Sequence, residues 1–127
     1  MRKGRPEHVC LSRGEGWELG GFEAAAFGNA VITTGWGGPL DYLPEGYPYT
    51  VAYDLVPTVT DEPDAWWAPR PGEHWAKARI ADAARLMRNV FDHPDEAGKW
   101  GRALQSHVRA NFGSEDVTHC LIEALEP

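Results

Sequence analysis

Ser12-Arg-Gly-Glu-Gly-Trp-Glu-Leu-Gly-Gly-Phe-Glu23-Ala-Ala-Ala-Phe-Gly28 is the stretch that decides the fold, and Ala30-Val-Ile-Thr-Thr34 follows it at once. The segment before it, His8–Ser12, is short and almost continuously apolar, which predicts a parallel strand covered on both faces. Ala24, Ala25 and Ala26 let a helix over about Leu19–Phe27 lie close to a sheet, and Gly28 supplies its stop. Ala30–Thr34 reads as a second strand. It runs into a second glycine loop, Gly35-Trp-Gly-Gly-Pro-Leu-Asp41, with one helical turn expected over Leu40–Leu43. Strand, acidic glycine loop, helix, strand and glycine loop describe the carboxyl edge of a nucleotide-binding α/β domain, where ligands bind at the strand ends.

Working outward, Leu43–Pro48 is a loop by its proline and glycine content, and Tyr49–Leu55 alternates as a third strand would. Thr58–Gly72 is rich in proline and contains Trp66-Trp67. It reads as a surface connection with both tryptophans pinned onto the body. Ala76, Ile80, Ala83, Ala84, Met87 and Val90 repeat at helical spacing. Pro94 suits the first position of a further helix, with Asp95 and Glu96 in its electropositive first turn and Ala97, Trp100, Leu104 and Val108 on its apolar side. Ser114 predicts the cap of a last helix carrying Val117, Leu121, Ile122 and Leu125.

A chain of 127 residues supports one domain. Its net charge of -7 argues against nucleic acid as a partner, because phosphate binding needs basic clusters. The run Arg2-Lys3-Gly4-Arg5 is too short to form such a surface. No apolar run reaches the ~20 residues of a transmembrane span, and no secretory signal is legible. Cys10 and Cys120 read as buried thiols of a cytoplasmic protein. His8-x-Cys10 and His119-Cys120 match no metal-ligand spacing, so no metal is expected. A Walker-A loop and a nucleophile elbow are both absent.

The segment Val9–Leu43 resembles the donor-sugar site of retaining glycosyltransferases of the family-4 type, which have two Rossmann-like domains. The family's loop reads Glu-Gly-Phe-Gly-Leu-Pro-x-x-Glu. Glu15, Gly16, Leu19 and Glu23 match it, and Trp17 replaces the aromatic residue. Glu18 stands where the family has glycine, and Gly20 where it has proline. Gly37-Gly38-Pro39-x-Asp41 resembles the next loop of that family, Gly-Gly-x-Pro-Glu. The resemblance implies a partial Rossmann-like α/β domain: about three parallel strands, covering helices and a helical C-terminal tail. It would be the later part of a C-terminal nucleotide-sugar-binding domain, and so a fragment.

By the same resemblance Glu15 lies at the hexose as the catalytic-site acid, and Glu23 at the ribose. Gly16, Trp17, Glu18, Leu19, Gly37 and Gly38 then border the substrate. The nucleotide sugar is a substrate, and no cofactor is implied. Carboxylates accept well from sugar hydroxyls, which are donors. Asp41 reads equally as a turn acid, Arg13 as a surface ion pair, and Trp36 as either core or pocket wall. A second interpretation stands beside the transferase: a non-catalytic interaction module that keeps the fold. An open sheet edge would also favour a homodimer, edge to edge or by exchange of C-terminal helices.

Overall fold

The computed structural model describes residues 7–59, 64, 66 and 68–125. Strands β1 (His8–Cys10), β2 (Val31–Thr34) and β3 (Thr50–Val51) form a parallel sheet in the order β1-β2-β3. His8 pairs with Val31, Cys10 with Thr33, and Thr33 with Thr50. Helix α1 (Leu19–Ala26) connects β1 to β2, and α2 (Pro39–Tyr42) follows β2. The chain is mixed α/β with a three-stranded parallel sheet, covering helices and a long helical C-terminal segment, as the sequence predicts.

β2 is the centre of the sheet, and all four of its residues are buried. Its Val31 and Ile32 pack in one core with Ala25, Tyr42, Tyr47, Tyr49 and Val51. Leu86 and Val90 of α3 (Ile80–Asp92) join this core, as do Ala97, Leu104 and Val108 of α4 (Pro94–Asn111). The Tyr47 hydroxyl pins the start of β2: it accepts from Val31 N–H at 2.8 Å and donates to Val31 C=O at 2.9 Å. α1 ends as its composition predicts, with Gly28 at a φ of 83° that glycine adopts freely. On α4, Gly101 lies against the Gly28 carbonyl, and a Cβ there would strike that oxygen. Gln105 Nε2 completes the junction by donating to Ala26 C=O at 2.9 Å.

Several expectations are corrected. β1 is an edge strand covered on one face only, since Val9 is exposed. The expected third strand breaks at Ala52 into β3 and β4 (Tyr53–Pro57), which belong to different sheets. β4 pairs antiparallel with β5 (His74–Ala78), where the sequence reading begins a helix. Ala76 and Ala78 are buried there and alternate with exposed Lys77. The buried stripe of α3 is Ala83, Leu86 and Val90, whereas Ile80, Ala84 and Met87 are exposed. Trp66 is 97% exposed and not pinned to the body, and Trp67 lies outside the described residues. Cys120 is exposed on α5 (Ser114–Leu125), none of whose residues is buried. Among the described residues no helix is long and apolar enough to cross a membrane.

Candidate functional site

β1 and β2 run parallel, so the loops that follow them emerge side by side. Residues 11–18 form the first loop and residues 35–38 the second. Thr34 Oγ1 donates to the Ser12 carbonyl at 2.9 Å, and Gly38 N–H donates to the Glu15 carbonyl at 3.0 Å. Gly38 permits this contact because a Cβ there would strike the Gly16 carbonyl and approach Trp17 N to 2.7 Å. The two loops are thereby joined into one surface. The β4–β5 hairpin braces the first loop: Ala76 N–H donates to Arg13 C=O at 2.9 Å, and the Arg13 guanidinium lies 5.1 Å from the Trp75 ring centroid. Arg13 therefore stacks on an aromatic ring, and among the described residues it forms no ion pair of the kind expected. Trp36 of the second loop meets Tyr53 at 5.4 Å.

The predicted site residues separate into two groups. Glu15, Gly16 and Gly37 are exposed on the joined loops, with Gly38 half-buried between them. Among the described residues the Glu15 carboxylate makes no hydrogen bond or ion pair. Leu19 and Glu23 are exposed on α1, and the Glu23 carboxylate is equally unengaged among the described residues. Asp41 is exposed in the first turn of α2. Trp17 turns inward instead, with its ring 5.5 Å from Phe22, 5.7 Å from Tyr42 and 5.3 Å from Phe112. That side chain packs into an aromatic cluster.

Glu18 is also turned inward, and it is the only non-glycine residue with positive φ among the described residues, at 63°. The backbone thus takes the left-handed form that a glycine would favour. Its side chain folds under α1 as the helix cap. Oε1 accepts from Gly21 N–H at 2.8 Å and from His8 Nε2 at 2.9 Å. Oε2 accepts from the Tyr42 hydroxyl at 2.9 Å. Gly21 leaves room for this arrangement, since a Cβ there would collide with the carboxylate. Burial, with the Glu18 carboxylate beside it, pushes the Tyr42 hydroxyl far above its ordinary titration range, so it remains a donor.

Cys10 completes a cluster that the sequence reading missed. Ligand atoms of His8, Cys10 and Glu18 all lie within 4.8 Å of one another. His8 and Cys10 share a face of β1 through the strand's two-residue period, which was legible. Glu18 reaches them only because the loop reverses direction, and no local spacing encodes that. Elsewhere, Ser114, Glu115, Thr118, His119 and Ile122 line a shallow, solvent-open hollow on α5 alone. No family model, curated protein or solved structure matches the chain.

Proposed function

We propose that this chain is the donor-binding part of a retaining glycosyltransferase of the family-4 type, which holds the ribose and hexose of a nucleotide sugar and transfers no sugar by itself. The observation that carries this reading is the meeting of two glycine loops at the carboxyl ends of adjacent parallel strands, with the unengaged Glu15 carboxylate on the first. Strand ends of this kind are where α/β sheets take ligands. The positive φ at Glu18 adds support, because the resembled family has glycine there. Glu15 would accept from hexose hydroxyls and Glu23 from the ribose.

One observation favours the second interpretation, a non-catalytic module. A helix N-terminus binds a diphosphate through its free N–H groups, but here the Glu18 carboxylate already occupies Gly21 N–H. A diphosphate would meet a buried negative charge at that point. The two loops carry one cation, Arg13, and it is stacked on Trp75. Transfer needs positioned groups for the leaving charge.

Titration calorimetry with nucleoside diphosphates and their sugar conjugates tests both interpretations. Weak binding is expected. Glu23→Ala should weaken it by about 1.5–3 kcal/mol, the range for hydrogen bonds to charged groups. Glu73→Ala, whose carboxylate accepts from Arg70 N–H in an exposed turn, should leave binding unchanged. Glu18→Gly should strengthen it by freeing the helix N-terminus. Equal effects of the Glu23 and Glu73 changes remove the donor site, and sugar transfer by the purified chain refutes the inactive reading. On the same proposal a second copy of the chain covers the exposed Val117, Leu121, Ile122 and Leu125 of α5.

A further inference from the structure

We propose that His8, Cys10 and Glu18 form a zinc site that clips edge strand β1 to the cap of α1. The three residues offer an imidazole nitrogen, a thiolate sulfur and a carboxylate oxygen, all within 4.8 Å of one another. That donor set suits a borderline-soft divalent ion and disfavours magnesium or calcium, which take oxygen ligands. Tetrahedral zinc at its usual bond lengths spaces such donors about 3.3–3.6 Å apart. His8 Nε2 and Glu18 Oε1 stand at 2.9 Å and need to part by only a few tenths of an ångström to admit the ion. The Cys10 thiol lies within 4.8 Å of both.

The surroundings are those of a metal-binding carboxylate. Glu18 is buried, and its other oxygen accepts from the Tyr42 hydroxyl at 2.9 Å. Outer hydrogen bonds of this kind orient a ligand toward its metal. His8 keeps 30% of its side-chain surface exposed, so the ion has an entry path from solvent and a fourth position open to water. β1 has three residues and one neighbouring strand, so a bond from its two alternate residues to the helix cap would add a covalent-like fastening where the sheet has least support. The site is separate from the exposed Glu15 and Glu23 carboxylates and does not depend on the donor-binding proposal.

The test uses the full chain stripped with chelator and titrated with zinc alone, then with cobalt(II) as a spectroscopic substitute. Expected are one equivalent of zinc per chain, a raised Tm, and a cobalt spectrum showing thiolate charge transfer and intense tetrahedral bands. Cys10→Ser should abolish the charge-transfer band, while Cys120→Ser, on exposed α5, should leave it intact. Tyr42→Phe should lower zinc affinity by roughly tenfold, the lower end of what loss of an orienting hydrogen bond costs. Absence of one-to-one binding to the wild-type chain, or a thiolate band that survives Cys10→Ser, would overturn the proposal and leave His8–Glu18 a hydrogen-bonded cap.

Discussion

Glu18 couples an unfavourable backbone to a favourable side chain, and substitutions separate the two. Glu18→Ala removes the cap, about 0.5–2 kcal/mol, and leaves the buried Tyr42 hydroxyl unpaired, about 1–3 kcal/mol, while keeping the left-handed strain. Glu18→Gly has the same losses but relieves the strain. The glycine variant should therefore be the more stable by about 1 kcal/mol after the added freedom of its unfolded chain is offset. Urea denaturation of the pair decides this, and an alanine variant at least as stable as the glycine one would refute the strain argument. Tyr47 and Tyr49 make a second contrast. Tyr47→Phe strips both partners from Val31 and should cost about 1–3 kcal/mol. Tyr49→Phe removes a buried hydroxyl that has no partner among the described residues, so it should be neutral or stabilising. Burial raises the titration of both Tyr42 and Tyr47. Their contribution is intact below the unfolded tyrosine value of about 10 and declines as pH rises beyond it, because only the unfolded chain then gives up the protons. Tyrosinate absorbance and loss of helical circular dichroism should appear together on alkaline titration. Glu15 and Glu23 were legible as loop and helix acids. The inward turn of Glu18 was not, because it depends on Tyr42 and His8, partners from other elements.

Elements show where local pattern competes with tertiary context. The first strand, α1, β2 and α4 were legible because caps and periodicity agreed there, as with Pro94 opening α4 and Gly28 closing α1. β5 was hidden because Ala76 and Ile80 share helical spacing and alanine is a weak strand former. Its pairing with β4 and the Ala76 bond to Arg13 override that preference. The break at Ala52 was hidden for a related reason. Arg79 N–H donates to Ala52 C=O at 2.8 Å and Asp82 Oδ2 accepts from Ala52 N–H at 2.8 Å, and both partners lie far along the chain. Gly101 gives a sharp prediction at this scale. Glycine to alanine inside a helix ordinarily stabilises by about 0.8–1.0 kcal/mol. In α4 the new methyl would strike the Gly28 backbone, so Gly101→Ala should cost about 1–3 kcal/mol instead. A rise in Tm for that variant would mean that α4 does not approach α1 so closely.

Across the whole molecule the core is shared by the sheet and helices α1 to α4, and α5 adds nothing buried to it. A chain ending after Gly113 keeps Phe112 in its cluster with Trp17 and Phe22. It should unfold within about 0.5 kcal/mol of the full chain, as for surface changes that touch no core contact. If α5 is covered by a second copy, sedimentation at low micromolar concentration should show a dimer for the full chain and a monomer for the shortened one. A sharp 14.1 kDa monomer for the full chain would remove that part of the proposal. The apolar residues of α5 were legible, but their lack of cover was not, because amphipathic spacing does not say what the apolar side will meet.

The junction of Gly101 and Gln105 with the end of α1 also sets an order of events during synthesis. Ala26 and Gly28 leave the ribosome early, yet the residues that close over them are 79 positions later for the Gln105–Ala26 bond. The parallel sheet can pair and meet α1 and α3 before that moment, but the side of α1 that packs on α4 stays wet until α4 has emerged. Such late closure keeps apolar helix surface open on the nascent chain, where misassociation competes with folding. Chains stalled before Trp100 should accordingly be protease-sensitive and held by chaperones, and release should be followed by a single cooperative collapse.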